Sequence, residues 1–255
     1  MKLFRDAWLV FGHEAALIRR YPGVLLFSLG QPLAYLFFFA PFLKVALAAD
    51  GVTSYAAAYR LYIPGLFVAM GLFGGLASGY GLLAALRSGI IDRCRVTPMS
   101  RPALLIGRAL VHVVMVLMQA TVITVAALPL GLRIRPLDLI FSYALLGTMV
   151  LFSSIISYDI ALILRNEQSL GTAIGTVAQP VSLLAGVLIP LTLAPLWIRD
   201  LAFANPFAWA AKGMRAGFAG KLGSQVVWES ALIMVVLTVA IVGWSSRLID
   251  REAPL

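Results

Sequence analysis

Six stretches of the chain carry no Asp, Glu, Lys or Arg: residues 21–43, 61–86, 109–132, 139–158, 168–198 and 230–246, which are 23, 26, 24, 20, 31 and 17 residues long. A helix needs ~20 mainly apolar residues to cross a hydrocarbon core of ~30 Å. The pattern predicts an all-α polytopic membrane protein with six transmembrane helices and little chain outside them. Ahead of the first run, residues 1–20 read as an interfacial helix. Phe4, Trp8, Phe11, Ala15 and Ile18 recur every three to four positions, and Lys2, Arg5, Asp6, His13 and Glu14 lie largely off that stripe. Such a helix lies in the membrane surface with one apolar side toward the acyl chains.

The breaks between runs carry as much information as the runs. Residues 87–101 are too charged to cross and too apolar for a plain linker. Ile90, Ile91, Cys94 and Val96 suit one face of a short helix that stops before Pro98. The turn at Arg165-Asn166-Glu167 separates the fourth and fifth runs. The fifth run would make ~46 Å of helix, more than the core is thick, so it must tilt, break or fold back. Pro190 and Pro195 place that break near its C-terminal end. Residues 193–221 combine Leu196, Trp197, Phe203, Phe207 and Trp209 with Arg199, Asp200, Lys212, Arg215 and Lys221, and Asn205-Pro206 is a turn signal. This predicts an outer re-entrant hairpin of two short helices. Residues 1–255 are thus expected to form a single membrane domain.

Composition agrees with that picture. The chain is 61% hydrophobic and 12% charged, against roughly 25% charged in soluble domains. The net charge of +9 is read as basic flanks meeting anionic lipid, with no nucleic-acid partner. With the N-terminus in the cytoplasm, twelve Lys and Arg fall on inner segments and eight on outer ones, which favours a multi-pass protein of the cytoplasmic membrane with both termini inside. Cys94 is the single cysteine, so neither an internal disulfide nor a cysteine-rich metal site forms. The first 20 residues lack the continuous apolar core of a cleavable signal.

Signatures of catalysis fail on their spacing. The four lysines precede Leu3, Val45, Gly213 and Leu222, so no Lys-Ser or Lys-Thr phosphate loop exists. His13-Glu14 is followed by Leu17 where a second zinc-binding His would stand. The seven aspartates are scattered, unlike the clustered acids that hold magnesium. No catalytic residue, metal site or cofactor site is expected. His112, Gln119, Gln31 and Gln179 either line a path or bond neighbouring helices, whereas Asp159, near the inner end of the fourth run, reads as an interfacial acid in water or paired with an Arg, since a proton relay would want a ladder of acids and histidines that the runs lack. Gly75/Gly79 and Gly171/Gly175 form GxxxG spacings, which suit a dimer face or internal packing alike.

Two groups of residues resemble the motifs of one family, the ABC-type exporter permeases of drugs, polysaccharides and lipids with a type V fold. Gly89, Thr97, Pro98, Ser100, Arg101, Gly107 and Arg108 are similar to its loop pattern after the second span. Asn166, Glu167, Pro180, Gly186, Pro190, Pro195, Trp197, Asn205, Pro206 and Arg215 are similar to its later pattern. Arg87 departs from it, standing where the family usually has Glu. The resemblance covers essentially the whole chain. It implies that residues 87–101 form a cytoplasmic coupling helix that docks on a separate ABC ATPase subunit through Gly89, Ile90, Ile91, Asp92, Arg93, Arg95, Thr97, Pro98 and Arg101. It implies two ATPase copies that bind ATP and magnesium, a second permease chain forming a homodimer, and no cofactor in this chain. Between the permeases, Phe67, Met70, Phe73, Pro180, Leu184 and Val187 are the expected path residues, with core or lipid contact as the alternative for each. Pro190, Pro195, Trp197, Asn205, Pro206 and Arg215 would build the outer hairpin. The implied activity is ATP-driven export of an amphipathic, lipid-linked or glycan-linked molecule. A secondary transporter would need acids at mid-membrane on broken helices, and an integral-membrane enzyme would need the constellations missing above.

Overall fold

The computed structural model of the chain describes residues 2–19, 22–46, 54–87, 101–187, 191 and 194–252. Among them are ten helices and no strand: α1 (Lys2–Arg19), α2 (Pro22–Ala46), α3 (Tyr55–Leu76), α4 (Ser78–Arg87), α5 (Arg101–Ala127), α6 (Pro136–Leu164), α7 (Glu167–Leu184), α8 (Leu196–Phe203), α9 (Pro206–Phe218) and α10 (Gln225–Glu252). The described residues are all-helical in class, as the charge-free runs predict. Among the described residues four stretches are long and apolar enough to cross a membrane: Tyr55–Arg87, Ala103–Ala127, Pro136–Leu164 and Gln225–Arg247.

Local chemistry sets the helix ends. Ser54 caps α3, its Oγ accepting from the Ala57 N–H at 3.2 Å, which satisfies one of the donors a helix start leaves open. Pro136 opens α6 and Pro206 opens α9, where a missing N–H costs nothing. The fifth charge-free run stops earlier than its prolines suggest. Helix α7 ends at Leu184, and Gly186 follows with φ 68°. The Gly186 N–H donates to the Leu183 carbonyl at 2.9 Å and the Val187 N–H to the Ser182 carbonyl at 3.4 Å. A glycine in the left-handed region therefore ends the helix. Pro195 instead precedes α8, and Pro190 lies outside the described residues.

Helix α6 is the hub, touching α3, α4, α5, α7, α9 and α10. Its tightest seam is with α3 and α4. A Cβ on Gly71 would collide with the Met149 side chain, one on Gly75 with Ser153 Oγ, and one on Gly79 with Ser157 Oγ. Glycines at every fourth position thus admit a Met-Ser-Ser ladder of the same period, one ridge on a groove. Hydrogen bonds follow the contact. Ser153 Oγ donates to the Gly71 carbonyl at 2.9 Å, and Ser157 Oγ donates to the Leu76 carbonyl and accepts from the Gly79 N–H at 3.1 Å. The Ser157 hydroxyl therefore meets the backbone where the helical run is interrupted, at Ala77, between α3 and α4.

The surrounding core is aromatic and aliphatic. Phe67 meets Tyr143 and Phe218 edge-on, each at 5.9 Å between ring centroids. Phe152 meets Phe207 at 5.8 Å. Helix α1 lies along α5, and Gly107 marks the crossing: a Cβ there would sit 2.6 Å from the Ala7 carbonyl oxygen. Trp8 and Leu9 point away from the bundle and are exposed.

Candidate functional site

Two polar joints close one end of the bundle, on either side of residues 88–100. On the N-terminal side, Arg87 ends α4 and its Nη1 lies 2.8 Å from Glu167 Oε1. Glu167 is positioned by the turn before α7. Arg165 takes φ 51° there, and Asn166 Oδ1 accepts from the Gln168 and Ser169 N–H groups at 2.8 and 3.1 Å. Glu167 then begins the helix, where the macrodipole favours an acid. On the C-terminal side, Arg108 sits two turns into α5 with its side chain 10% exposed. Its Nη2 reaches Glu14 Oε1 at 3.3 Å and the Gly81 carbonyl oxygen at 3.1 Å. One guanidinium thus joins α1, α4 and α5.

The other end is closed by the short helices. Asn205, 8% exposed, accepts from the Phe207 N–H at 3.0 Å and donates through Nδ2 to the Val181 carbonyl at 2.8 Å. The α8–α9 turn is therefore held beside Val181 and Phe152, part-way along α7 and α6. Arg215 Nη2 donates to the Gly186 carbonyl, at the electronegative end of α7. Burial pulls the Arg215 guanidinium down to about 10, so it stays charged at neutral pH. Gly65 completes this joint, since a Cβ there would collide with the Val187 carbonyl.

The sequence profile of the ABC-2 type transporter family matches residues 6–219, which takes in nine of the ten helices wholly or in large part. The chain belongs to the ABC-2 type transporter family. It is the membrane component of an ABC transporter, a permease and not a catalytic domain. No curated protein matches the chain.

Within this ABC-2 permease the expected site residues separate by position. Phe67 and Met70 are buried in the bundle, as is Val187, whereas Phe73 and Pro180 reach the surface and Leu184 is half-buried. Among the outer residues Trp197 is exposed, Asn205 and Arg215 make the joint just described, and Pro206 opens α9. Gly89, Ile90, Ile91, Asp92, Arg93, Arg95, Thr97 and Pro98 lie outside the described residues, and Arg101 begins α5. Asp159 takes a hydrogen bond from Ser245 Oγ of α10 at 2.5 Å, and Gln119 donates to Ser28 Oγ of α2 at 2.7 Å. Both bond neighbouring helices. The Glu14–Arg108 and Arg87–Glu167 pairs have no signal in spacing, because their partners lie far apart in the chain.

Proposed function

We propose that the chain is the transmembrane subunit of an ATP-driven exporter, working as a homodimer with two copies of a separate ABC ATPase subunit that binds ATP and magnesium. The observation that carries this is the family match across residues 6–219. In this reading the chain is one domain of six spans in the cytoplasmic membrane, formed by α2, α3 with α4, α5, α6, α7 and α10, with both termini in the cytoplasm. The eighteen residues of α7 make ~27 Å of helix, close to the thickness of the core. The α8–α9 hairpin dips into the outer leaflet. Its polar turn is supported there by the Asn205 bonds, as backbone at membrane depth requires.

Residues 87–101 form the coupling element and dock on the ATPase, with Ile90 and Ile91 toward its groove and Arg93, Arg95 and Arg101 at the rim. The Arg87 and Arg108 joints carry the motion onward. Phe73, Pro180 and Leu184, on the faces α3 and α7 turn outward, line the path between the two copies, and the exported molecule is amphipathic or linked to a lipid or glycan. The test is the reconstituted complex. Arg95→Glu or Pro98→Ala is expected to abolish transport while ATP hydrolysis continues. Stimulation of the ATPase that survived deletion of residues 87–96 would remove the docking role.

A further inference from the structure

Helix α7 gathers its polar residues on one side. Gln168, Thr172, Gly175, Thr176 and Gln179 are exposed and fall within about 100° of the circumference at 3.6 residues per turn. They form a stripe ~17 Å long, and the next residue in line is Leu183. Hydroxyls elsewhere in the spans turn back on their own helix. Thr121, Thr124 and Thr238 donate to the carbonyl four residues earlier at 2.7 or 2.8 Å, and Thr172 does the same to Gln168 at 3.0 Å. The side chains of Gln168, Thr176 and Gln179 have no hydrogen-bond partner among the described residues.

Two coverings fit this face badly. Lipid tails would leave its amides and hydroxyl unbonded, whereas polar side chains at membrane depth face protein or water. The sides that other spans turn outward are aliphatic, with Val114, Met118 and Val122 on α5 and Leu232, Val235 and Val239 on α10. A closely packed helix of a second copy needs small residues in series, and here the glycine pair is divided. Gly171 is filled by Tyr80 of α4, whose hydroxyl oxygen would lie 2.8 Å from a Cβ there, so Gly175 alone is open. The long amides of Gln168 and Gln179, toward the two ends of the stripe, hold a second backbone away from it. Water and a polar solute fit the face well. It lies in a run free of Asp, Glu, Lys and Arg, and each Gln and Thr side chain both donates and accepts. Such a wall exchanges hydrogen bonds with water and sugar hydroxyls alike, and it offers no cation to an anionic group and no apolar bed to an acyl chain.

We propose that this stripe is one wall of a water-filled translocation path, and that the part of the exported molecule passing it is a neutral, hydroxyl-rich chain of glycan type. The proposal rests on the exporter reading above, in which the outward face of α7 lies on the path between two copies, but its test needs no transport. Thr172→Cys, Thr176→Cys and Gln179→Cys are each combined with Cys94→Ser, so that one thiol remains. The full-length permease, in membranes of the producing cells opened on both sides, is treated with a charged methanethiosulfonate. Reaction at the stripe should be at least about tenfold faster than at Val122→Cys of α5 and Val236→Cys of α10, because hydrocarbon excludes a charged reagent. Maltoheptaose, a neutral glycan probe, should protect Thr176→Cys and Gln179→Cys saturably, slowing the reaction at least about threefold, and decanoate should not. Each variant is read only where it elutes as the parent does, and three positions keep one misfolded variant from deciding the outcome. Stripe thiols as slow as the two controls would put the face in lipid. Thiols that join copy to copy on mild oxidation while remaining blind to the reagent would put it against the second copy. Either result overturns the proposal, and protection by decanoate or by neither probe overturns the glycan class. A stripe that is labelled and protected in a permease that no ATPase drives would sink the exporter reading alone, whereas ATP-driven transport past a reagent-blind stripe would sink this proposal alone.

Discussion

Gly75 and Gly175 share a residue type, a helical setting and a GxxxG spacing, yet their surroundings are opposite. A Cβ on Gly75 would meet Ser153 Oγ and lie 3.0 Å from the Val150 carbonyl, whereas one on Gly175 would meet nothing within 4 Å. Gly75→Ala is therefore expected to force α3 from α6 and cost about 1–3 kcal/mol, the usual range for overpacking. Gly175→Ala should leave the fold intact or stabilise it by about 0.5–1 kcal/mol through helix propensity. Thermal unfolding of the purified variants in detergent separates the two, and equal melting temperatures would refute the assignment of the seam. Ser157→Ala belongs beside them. It leaves the Gly79 N–H without its acceptor and the Leu76 carbonyl without that donor, and a lowered stability of about 1–2 kcal/mol is expected from the orphaned donor. A melting point equal to that of the parent would show that the α3–α4 junction at Ala77 does not need the hydroxyl for its stability.

Between elements, the two arginine joints differ in depth and so in strength. Arg87 and Glu167 are 56% and 48% exposed, and a pair so open to water contributes less than about 1 kcal/mol. Arg108 is nearly buried and Glu14 is 25% exposed. Glu14→Gln is thus expected to cost roughly 2 kcal/mol, below the ~3–5 of breaking a fully buried pair. Exchanging the charges, Glu14→Arg with Arg108→Glu, should recover part of that loss on thermal denaturation. No recovery would mean that the Gly81 contact, and not the ion pair, holds α1. The helices themselves were legible, because charge-free runs and proline positions are local signals. The interruption at Ala77 was not, since the bonds beside it come from Ser157, a residue 80 positions away in the chain. The end of α7 was misplaced toward Pro190 and Pro195 because a glycine taking positive φ leaves no mark beyond its identity, and Gly186 is one of 22 glycines. Of the site, the motif residues around Asn166 and Asn205 were visible as turn formers, while their partners Arg87 and Val181 emerged only from the folded arrangement.

For the whole molecule, Trp228 and Trp244 stand exposed on α10, sixteen residues apart, ~24 Å along the axis. That separation suits one indole at each membrane interface. In variants retaining only one of these two tryptophans and no others, lipids brominated near the headgroup should quench fluorescence more than lipids brominated near the chain ends. Stronger deep quenching at either position would mean that α10 lies differently from a span. The α3–α6 seam also bears on how the protein is made. Gly71 and Ser153 are 82 residues apart, so a ribosome inserting helices in order delivers the glycine face well before the serines that fill it. Until α6 leaves the translocation machinery, α3 has a groove with no ridge, and the nascent chain must keep that face uncommitted or lend it to another helper. A chain arrested before residue 153 should therefore be held by membrane chaperones or degraded, and one arrested after α6 has emerged should be the first to resist protease.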